Sequence, residues 1–310
     1  MNPSQNTLQK WDARYLRLAR MVASWSKDPS TQCGAVLVRP DKTLCSVGYN
    51  GFPRGAPDTP TLYSERSQKY PRIIHSEWNA IANARDPDVA GYTVYAWPMP
   101  PCNQCTGALI QKKISRFVQP QPSAEKLERW GVAFSYARKM LEQCNIEVSQ
   151  PIVDDLFELD LPHFEIGTQV WHARFLAMAQ ELSTWSKDKD TGSGAILVRQ
   201  DKTIASIGFS GFPQGVDDAP VYAGESEACK IMMISAARNA LLFSKDSTHQ
   251  GHTAYIWPGP PDLDAVSHLA HEGVKTIVYP VFKGKDTLDN DVLHWFLSMD
   301  GQFIQVDVIQ

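Results

Sequence analysis

His75-Ser76-Glu77 and, farther along, Pro101-Cys102-Asn103-Gln104-Cys105 are the stretches whose residue types and spacing could do chemistry; they read His-x-Glu and Pro-Cys-x-x-Cys. One imidazole and two thiolates suit a borderline-soft divalent ion, Zn2+ above all. Three protein ligands leave a fourth tetrahedral position for water, which marks a catalytic site more than a structural one. Bound zinc brings the pKa of water to about 7, so hydroxide is available at neutral pH. Glu77 need not touch the metal; a carboxylate there takes a proton from water and passes it to a leaving amine.

The elements around these residues must aim them at one point. Cys102 and Cys105 stand three apart and share a face on a helix. Pro100 and Pro101 sit just before them, where a helix begins but does not extend backwards. A helix N-terminus, with unpaired N–H groups and positive partial charge, favours thiolate over thiol. Glu77–Ala84 (EWNAIANA) also reads helical, so both ligand pairs fall at helix starts. A lone C-x-x-C could equally be a redox pair or half of a structural zinc site, and a lone His-x-Glu carries almost no information. Both in this order, with proline before the first cysteine, form the signature of zinc nucleobase deaminases. His75 is also the single histidine in the first 160 residues.

Composition narrows the class. The chain has 310 residues, enough for about two domains, and 43% hydrophobic residues, enough for real cores. The N-terminus lacks an apolar core of the secretory kind, and no run approaches the ~18 apolar residues of a membrane span. Apart from Cys102 and Cys105, the cysteines (Cys33, Cys45, Cys144 and Cys229) show no paired spacing. Free thiols, and hence a reducing, cytoplasmic setting, are the expectation. Residues 1–160 carry 19 Lys+Arg against 16 Asp+Glu, a net +3; residues 161–310 carry 11 against 18, a net −7. Neither half has the basic stripe of a protein that grips nucleic-acid backbones, so a small anionic substrate fits better than a polymer.

The chain repeats itself at a constant offset of 160 residues. Trp25-Ser26-Lys27-Asp28 recurs as Trp185-Ser186-Lys187-Asp188, Gly51-Phe52-Pro53 as Gly211-Phe212-Pro213, Asn79-Ala80 as Asn239-Ala240, and Trp97-Pro98 as Trp257-Pro258. That period signals a duplicated domain, since solenoid units run to roughly 20–50 residues. The acidic, proline-flanked segment 151–162 is the expected linker between a catalytic domain, 1–150, and a degenerate copy, 163–310. At the same offset His75 becomes Ser235, Glu77 Ala237, Cys102 Asp262 and Cys105 Ala265. The second copy keeps the fold-forming Trp, Gly and Pro positions and loses the whole metal set. Asp262, Asp264, His268 and His271 could form a different metal site, but a solvated helix face accounts for them more simply.

Within the first copy, Leu8, Trp11, Tyr15, Leu18, Ala19 and Val22 recur near the helical period and predict a helix over 8–26. Gly34–Arg39 and Thr43–Tyr49 read as a hairpin about a Pro40-Asp41-Lys42 turn, followed by a turn-rich loop, Asn50–Gly55. Then come a helix from Ser76, a strand at 92–97, a helix at 102–113, a strand at 115–119, a helix at 124–143 and a strand at 146–148. Alternating strands and helices predict a layered α/β domain with helices on both faces of one sheet, and a site at helix N-termini beside the sheet.

Ser26-Lys27-Asp28-Pro29, Gly34-Ala35, Gly48-Tyr49-Asn50-Gly51, Pro53, Gly55, His75–Ile81 as H-x-E-x-N-A-I, and Pro101–Cys105 together resemble the deoxycytidylate (dCMP) deaminase family, within the cytidine-deaminase-like superfamily. The resemblance covers most of residues 8–150; residues 165–310 resemble the same fold without its catalytic set. It implies a three-layer α/β/α sandwich in two tandem copies and hydrolysis of dCMP to dUMP and ammonia. In that family's terms His75, Cys102 and Cys105 hold zinc, activated water attacks C4 of the pyrimidine, and Glu77 protonates N3 and then the departing amine. The backbone N–H of Ser76 holds the base carbonyl. Asn50 either bonds a sugar hydroxyl or is a turn residue tolerating left-handed geometry; Arg54 either meets a phosphate or is a solvated loop residue. The family also brings in control by dCTP and dTTP, and assembly either as a homo-oligomer or as a pseudo-dimer within one chain. Competing readings change the substrate to cytidine, deoxycytidine, dCTP or a base in RNA or single-stranded DNA, or make the protein a non-enzymatic nucleotide sensor with structural zinc.

Overall fold

Strand β1 (Gly34–Val38, GAVLV) is buried at all five positions, the pattern of a strand covered on both faces. It runs antiparallel to β2 (Leu44–Tyr49) on one side and to β3 (Thr93–Trp97) on the other. Strands β4 (Arg116–Val118) and β5 (Glu147–Ser149) continue the sheet in parallel, giving the order β2-β1-β3-β4-β5. One face of β1 meets helix α1 (Gln5–Ala23) closely enough that a Cβ on Gly34 would lie 2.1 Å from the Ala19 carbonyl oxygen. The other face, Ala35 and Leu37, joins a core with Ala80 of α4 (Ser76–Asn83) and Leu109 of α5 (Asn103–Gln111). Each large apolar side chain so buried contributes roughly 1.5–3 kcal/mol. The result is an α/β/α sandwich. Two short helices, α2 (Pro60–Ser64) and α3 (Arg66–Lys69), precede α4, and a long α6 (Ala124–Gln143) follows β4. The helix expected over 8–26 runs from 5 to 23, and the other expected elements of this copy stand within a few residues of their places; α2 and α3 had no counterpart in the pattern.

The chain divides into two units, Met1–Leu159 and Asp160–Gln310. The computed structural model describes residues 5–152, 163–164, 170–188, 192–213, 233–282 and 288–309. Apart from Pro151 and Ile152, the expected linker 151–162 lies outside them. Unit two contains β6 (His163–Phe164), α7 (Val170–Ser183), β7 (Gly194–Val198), β8 (Ile204–Phe209), α8 (Ala236–Phe243), β9 (Thr253–Trp257), α9 (Leu263–His271), β10 (Thr276–Val281), α10 (Asn290–Leu297) and β11 (Gln302–Ile309). Its sheet order is β6-β11-β10-β9-β7-β8.

The repetition reaches individual bonds. Gly34 pairs with Tyr49 and Gly194 with Phe209, and the hairpin ladder is irregular at Leu37/Val38 and again at Leu197/Val198. Arg39 bonds Asp86 through Nε at 2.6 Å and Arg199 bonds Asp246 through Nε at 2.7 Å. The Ser46 hydroxyl donates to the Ala80 carbonyl at 2.6 Å and Ser206 to Ala240 at 2.5 Å. The duplication read from the sequence is thus a duplicated fold. No helix among the described residues is long and apolar enough to cross a membrane.

Candidate metal centre and active site

Helix α4 is fixed to the sheet edge by side chains that the sequence places on one helical face. Asn79 Nδ2 donates to the Tyr49 carbonyl at 2.7 Å and Asn83 Nδ2 to Val47 at 2.9 Å. Beneath the helix, a Cβ on Gly48 would stand 2.2 Å from Ala80 N and 2.4 Å from Ser76 O, so only glycine allows this approach. A bridge between Gly51 and Ile74 sets the chain just before His75. His75 is the N-cap of α4, with extended backbone, and Ser76 and Glu77 open the helix. Cys102 is the N-cap of α5, and Cys105 stands three residues inside it.

This arrangement gathers the three expected ligands. His75 Nδ1 lies 3.5 Å from Cys102 Sγ and 3.4 Å from Cys105 Sγ. All three ligand atoms are within 4.8 Å of one another, the one such group of His, Cys, Asp and Glu among the described residues. Zn–N near 2.05 Å and Zn–S near 2.3 Å at tetrahedral angles put nitrogen and sulfur about 3.5 Å apart, so the donor set fits zinc. The sulfurs are electronically prepared. Cys102 is pushed down to about 4, first by the hydrogen bond from the Cys105 thiol, against the opposing effect of burial, and further by His75. Its Sγ also accepts the Cys105 backbone N–H at 3.4 Å. That hydrogen bond with Cys102, together with burial, pushes the Cys105 thiol up, so this sulfur releases its proton on metal binding.

Glu77 is only 6% exposed and stands outside the donor triangle. Burial raises its pKa, against the pull of His75, and the Ser76 hydroxyl donates to Oε2 at 3.1 Å. A carboxyl group whose charged form is disfavoured by burial is the stronger proton acceptor for it. Ser76 is buried, and its N–H is one of the first in α4, without an intrahelical acceptor.

These residues line a cavity of about 270 Å³ that also includes Asn50. The Asn50 amide is largely occupied by the fold. Its Oδ1 accepts the Cys33 N–H at 2.7 Å, and Nδ2 donates to the Thr31 carbonyl at 2.9 Å and to Asp28 at 3.3 Å. It has a lone pair on Oδ1 left for a hydroxyl donor and no hydrogen left to give. Arg54 is not in the cavity lining; its exposed guanidinium donates to Asn83 Oδ1 at 3.2 Å. Sequence reasoning missed several wall residues. Lys69, at the end of α3, is buried and bonds Asp28 at 2.7 Å and Ser30 Oγ at 2.6 Å. Tyr70, Trp97, Arg129, Trp130 and Phe134 are also part of the wall. The aromatic pair Trp130 and Phe134, four apart on α6, was the available signal for a helix face turned to a cavity.

In unit two the positions equivalent to His75 and Cys102 are ordinary helix caps. Ser235 Oγ accepts the Arg238 N–H at 3.4 Å, and Asp262 Oδ1 accepts the Ala265 N–H at 2.8 Å. His268 Nδ1 lies 2.8 Å from the Asp264 carbonyl oxygen on a half-exposed helix face, and Asp262, Asp264, His268 and His271 do not converge on a point.

The cytidine and deoxycytidylate deaminase zinc-binding region matches residues 9–120. An uncharacterized deaminase encoded in the luxG 3′ region of Aliivibrio fischeri is 37% identical over 142 residues, 46% of this chain and 94% of that protein. A probable deoxycytidylate deaminase of Caenorhabditis elegans is 34% identical over 143 residues, 45% and 69% of the two chains. The apo crystal structure of the dCMP deaminase from cyanophage S-TIM5 aligns with 19% identity and a TM-score of 0.36, over 46% of this chain and 97% of that one. Matched along nearly the whole of one relative, and across the elements that bring His75, Cys102 and Cys105 together, the chain belongs to the zinc-dependent cytidine and deoxycytidylate deaminase family.

Proposed function

We propose that residues 1–150 form a catalytic domain that hydrolyses the exocyclic amine of a cytosine nucleotide, dCMP and water giving dUMP and ammonia, and that residues 163–310 form a non-catalytic copy. The observation that carries this reading is the buried Glu77 carboxyl in one cavity with His75 and Cys102, beside Cys105, in a chain whose second copy loses all four together. A structural metal site has no use for a proton shuttle. The relatives named for deoxycytidylate deamination support the choice of nucleotide.

His75, Cys102 and Cys105 would hold the zinc, which supplies Lewis acidity and makes water nucleophilic near neutral pH. The rest falls to this chain's own groups. The Ser76 N–H donates to the carbonyl oxygen of the base and sets C4 toward the incoming water. Glu77 removes a proton from that water as the O–C4 bond forms, and delivers it to N3. The hydroxyl now on C4 gives its proton through the same carboxylate to the exocyclic amine, the C4–N bond breaks with its electron pair leaving on nitrogen, and the C4 carbonyl of dUMP forms as ammonia departs. Asn50 Oδ1 accepts a sugar hydroxyl. Ser76, Glu77 and Asn50 are all buried, and the lower dielectric there strengthens each of these hydrogen bonds.

The test is ammonia release by zinc-loaded protein offered cytidine, deoxycytidine, CMP, dCMP and dCTP. Turnover with dCMP favoured over the others supports the reading. Inertness toward all five overturns it, and turnover of a cytosine-containing single-stranded oligonucleotide, offered as a sixth substrate, would then assign the activity to a polymer.

A further inference from the structure

A nucleotide whose base reaches Glu77 must leave its phosphate nearer the mouth, and the cavity offers few places for that charge. Three cations invite consideration. Arg54 lies outside the lining and bonds Asn83. Lys69 lies in the lining, but its ammonium is neutralised by the buried Asp28 carboxylate at 2.7 Å and committed to Ser30. Arg129 lies in the lining, exposed at the mouth beside the half-exposed Tyr70, and among the described residues no carboxylate pairs with it. Its guanidinium sits 4.3 Å from the centroid of the Trp130 ring, and Nη2 donates to the Tyr70 hydroxyl at 2.7 Å. Held by these two partners, it has spent one N–H and keeps the rest, in the planar fork that suits two phosphate oxygens.

We propose that Arg129, steadied by Trp130 and Tyr70, binds the 5′-phosphate and makes the site select a nucleotide over a nucleoside. The proposal rests on the deaminase reading above and adds the residue that sets the phosphate state. Arg129 does not touch the reacting atoms; it acts on specificity.

The experiment compares full-length, zinc-loaded wild-type protein with R129Q, R129K and K126Q, the last a half-buried lysine one turn earlier on the same helix. Two readouts are used: kcat/KM for dCMP and for deoxycytidine, and calorimetric titration with dUMP and with deoxyuridine. Loss of one or two charge-assisted hydrogen bonds lowers kcat/KM for dCMP in R129Q by roughly 10- to 100-fold. Deoxycytidine turnover stays as in wild type, dUMP affinity falls in parallel, and R129K lies between. An unchanged dCMP value in R129Q, an equal fall on both substrates, or a loss in K126Q instead overturns the assignment. Wild-type protein inert toward both substrates would sink the deaminase reading, while the dUMP titration still decides whether Arg129 binds phosphate.

Discussion

Cys102 and Asp262, 160 residues apart in the chain, hold the same structural post: each is the N-cap of its helix and accepts the backbone N–H three residues on, Cys102 from Cys105 at 3.4 Å and Asp262 from Ala265 at 2.8 Å. Cys102 is a cap and also one of the three gathered metal-ligand candidates, whereas Asp262 is a cap alone. Aspartate is among the best N-caps, and thiolate is not among them. The second unit therefore shows what the first gives up to bind metal.

The C102D variant follows from this pair. It should fold, with zinc-free stability within about 1 kcal/mol of the chelated wild type, because the cap is kept or improved. Zinc content after dialysis should fall from one ion per chain to a small fraction, since the soft sulfur is gone. Urea unfolding of both chelated proteins and elemental analysis check the two halves. Stoichiometric zinc in C102D would show that the sulfur is not needed.

Glu77 is the group to separate metal binding from chemistry. E77Q should keep its zinc, because the carboxylate stands outside the donor triangle. Ammonia release from dCMP should fall on the order of 10²–10⁴-fold, the range for loss of a positioned acid–base group. Glutamine also relieves the cost of burying a carboxyl group whose ionised form is disfavoured there, so the variant should unfold no more easily than the parent. Loss of zinc together with activity would instead make Glu77 a ligand.

The acid limb of stability should be shaped in part by Asp86 and Asp246, paired with Arg39 and Arg199. Hydrogen bonds from Arg39 hold Asp86 below the usual carboxylate range, with Tyr92 adding to them against burial. In unit two burial raises Asp246, but hydrogen bonds from Arg199 and His252 outweigh it and lower the net value. For a depressed carboxylate the folded state holds its proton more weakly than the unfolded chain does. The stability is complete above the unfolded value of about 3.9 and is lost as pH falls through the lower folded value. D86N should thus be less stable than wild type at pH 7, with the gap narrowing on acidification. Thermal midpoints followed downward from pH 7 read this out; a gap that stays constant with pH would contradict it.

The reach of the sequence can be judged from particular residues. Strong periods and punctuation gave away α1, the β1–β2 hairpin, α4, α5 and α6, and a constant offset gave away the duplication. The metal residues were legible because one imidazole, two thiols and a carboxylate at these spacings match the needs of a zinc-bound water and of little else. Lys69 and Tyr70 were not, because residues 57–74 carry no apolar period and the partner Asp28 lies 41 positions from Lys69. Arg129 reads as one more charge on a solvated helix face; only the folded cavity shows that this face, with Trp130 and Phe134, turns to the site. Arg54, in a motif-rich loop, invited a role as phosphate contact that its bond to Asn83 outside the cavity does not support.

Gly48 links the fold to the site most directly. The α4 backbone lies so close over it that a methyl group would meet Ala80 N and Ser76 O at 2.2 and 2.4 Å. Backbone has no rotamer by which to move aside, so in G48A the start of α4 must lift from β2. The cost should be about 3 kcal/mol. The displacement also carries Ser76 and the adjoining His75 and Glu77 away from Cys102 and Cys105, so zinc affinity and turnover should fall together with stability. G131A is the matched control: nothing stands within 4 Å of its added Cβ, and alanine in the middle of α6 should leave stability unchanged or raise it by roughly 0.5–1 kcal/mol. Unfolding midpoints and zinc titrations on both variants test the link. A G48A protein that loses stability but binds zinc as tightly as wild type would show that the metal centre tolerates movement of its helix.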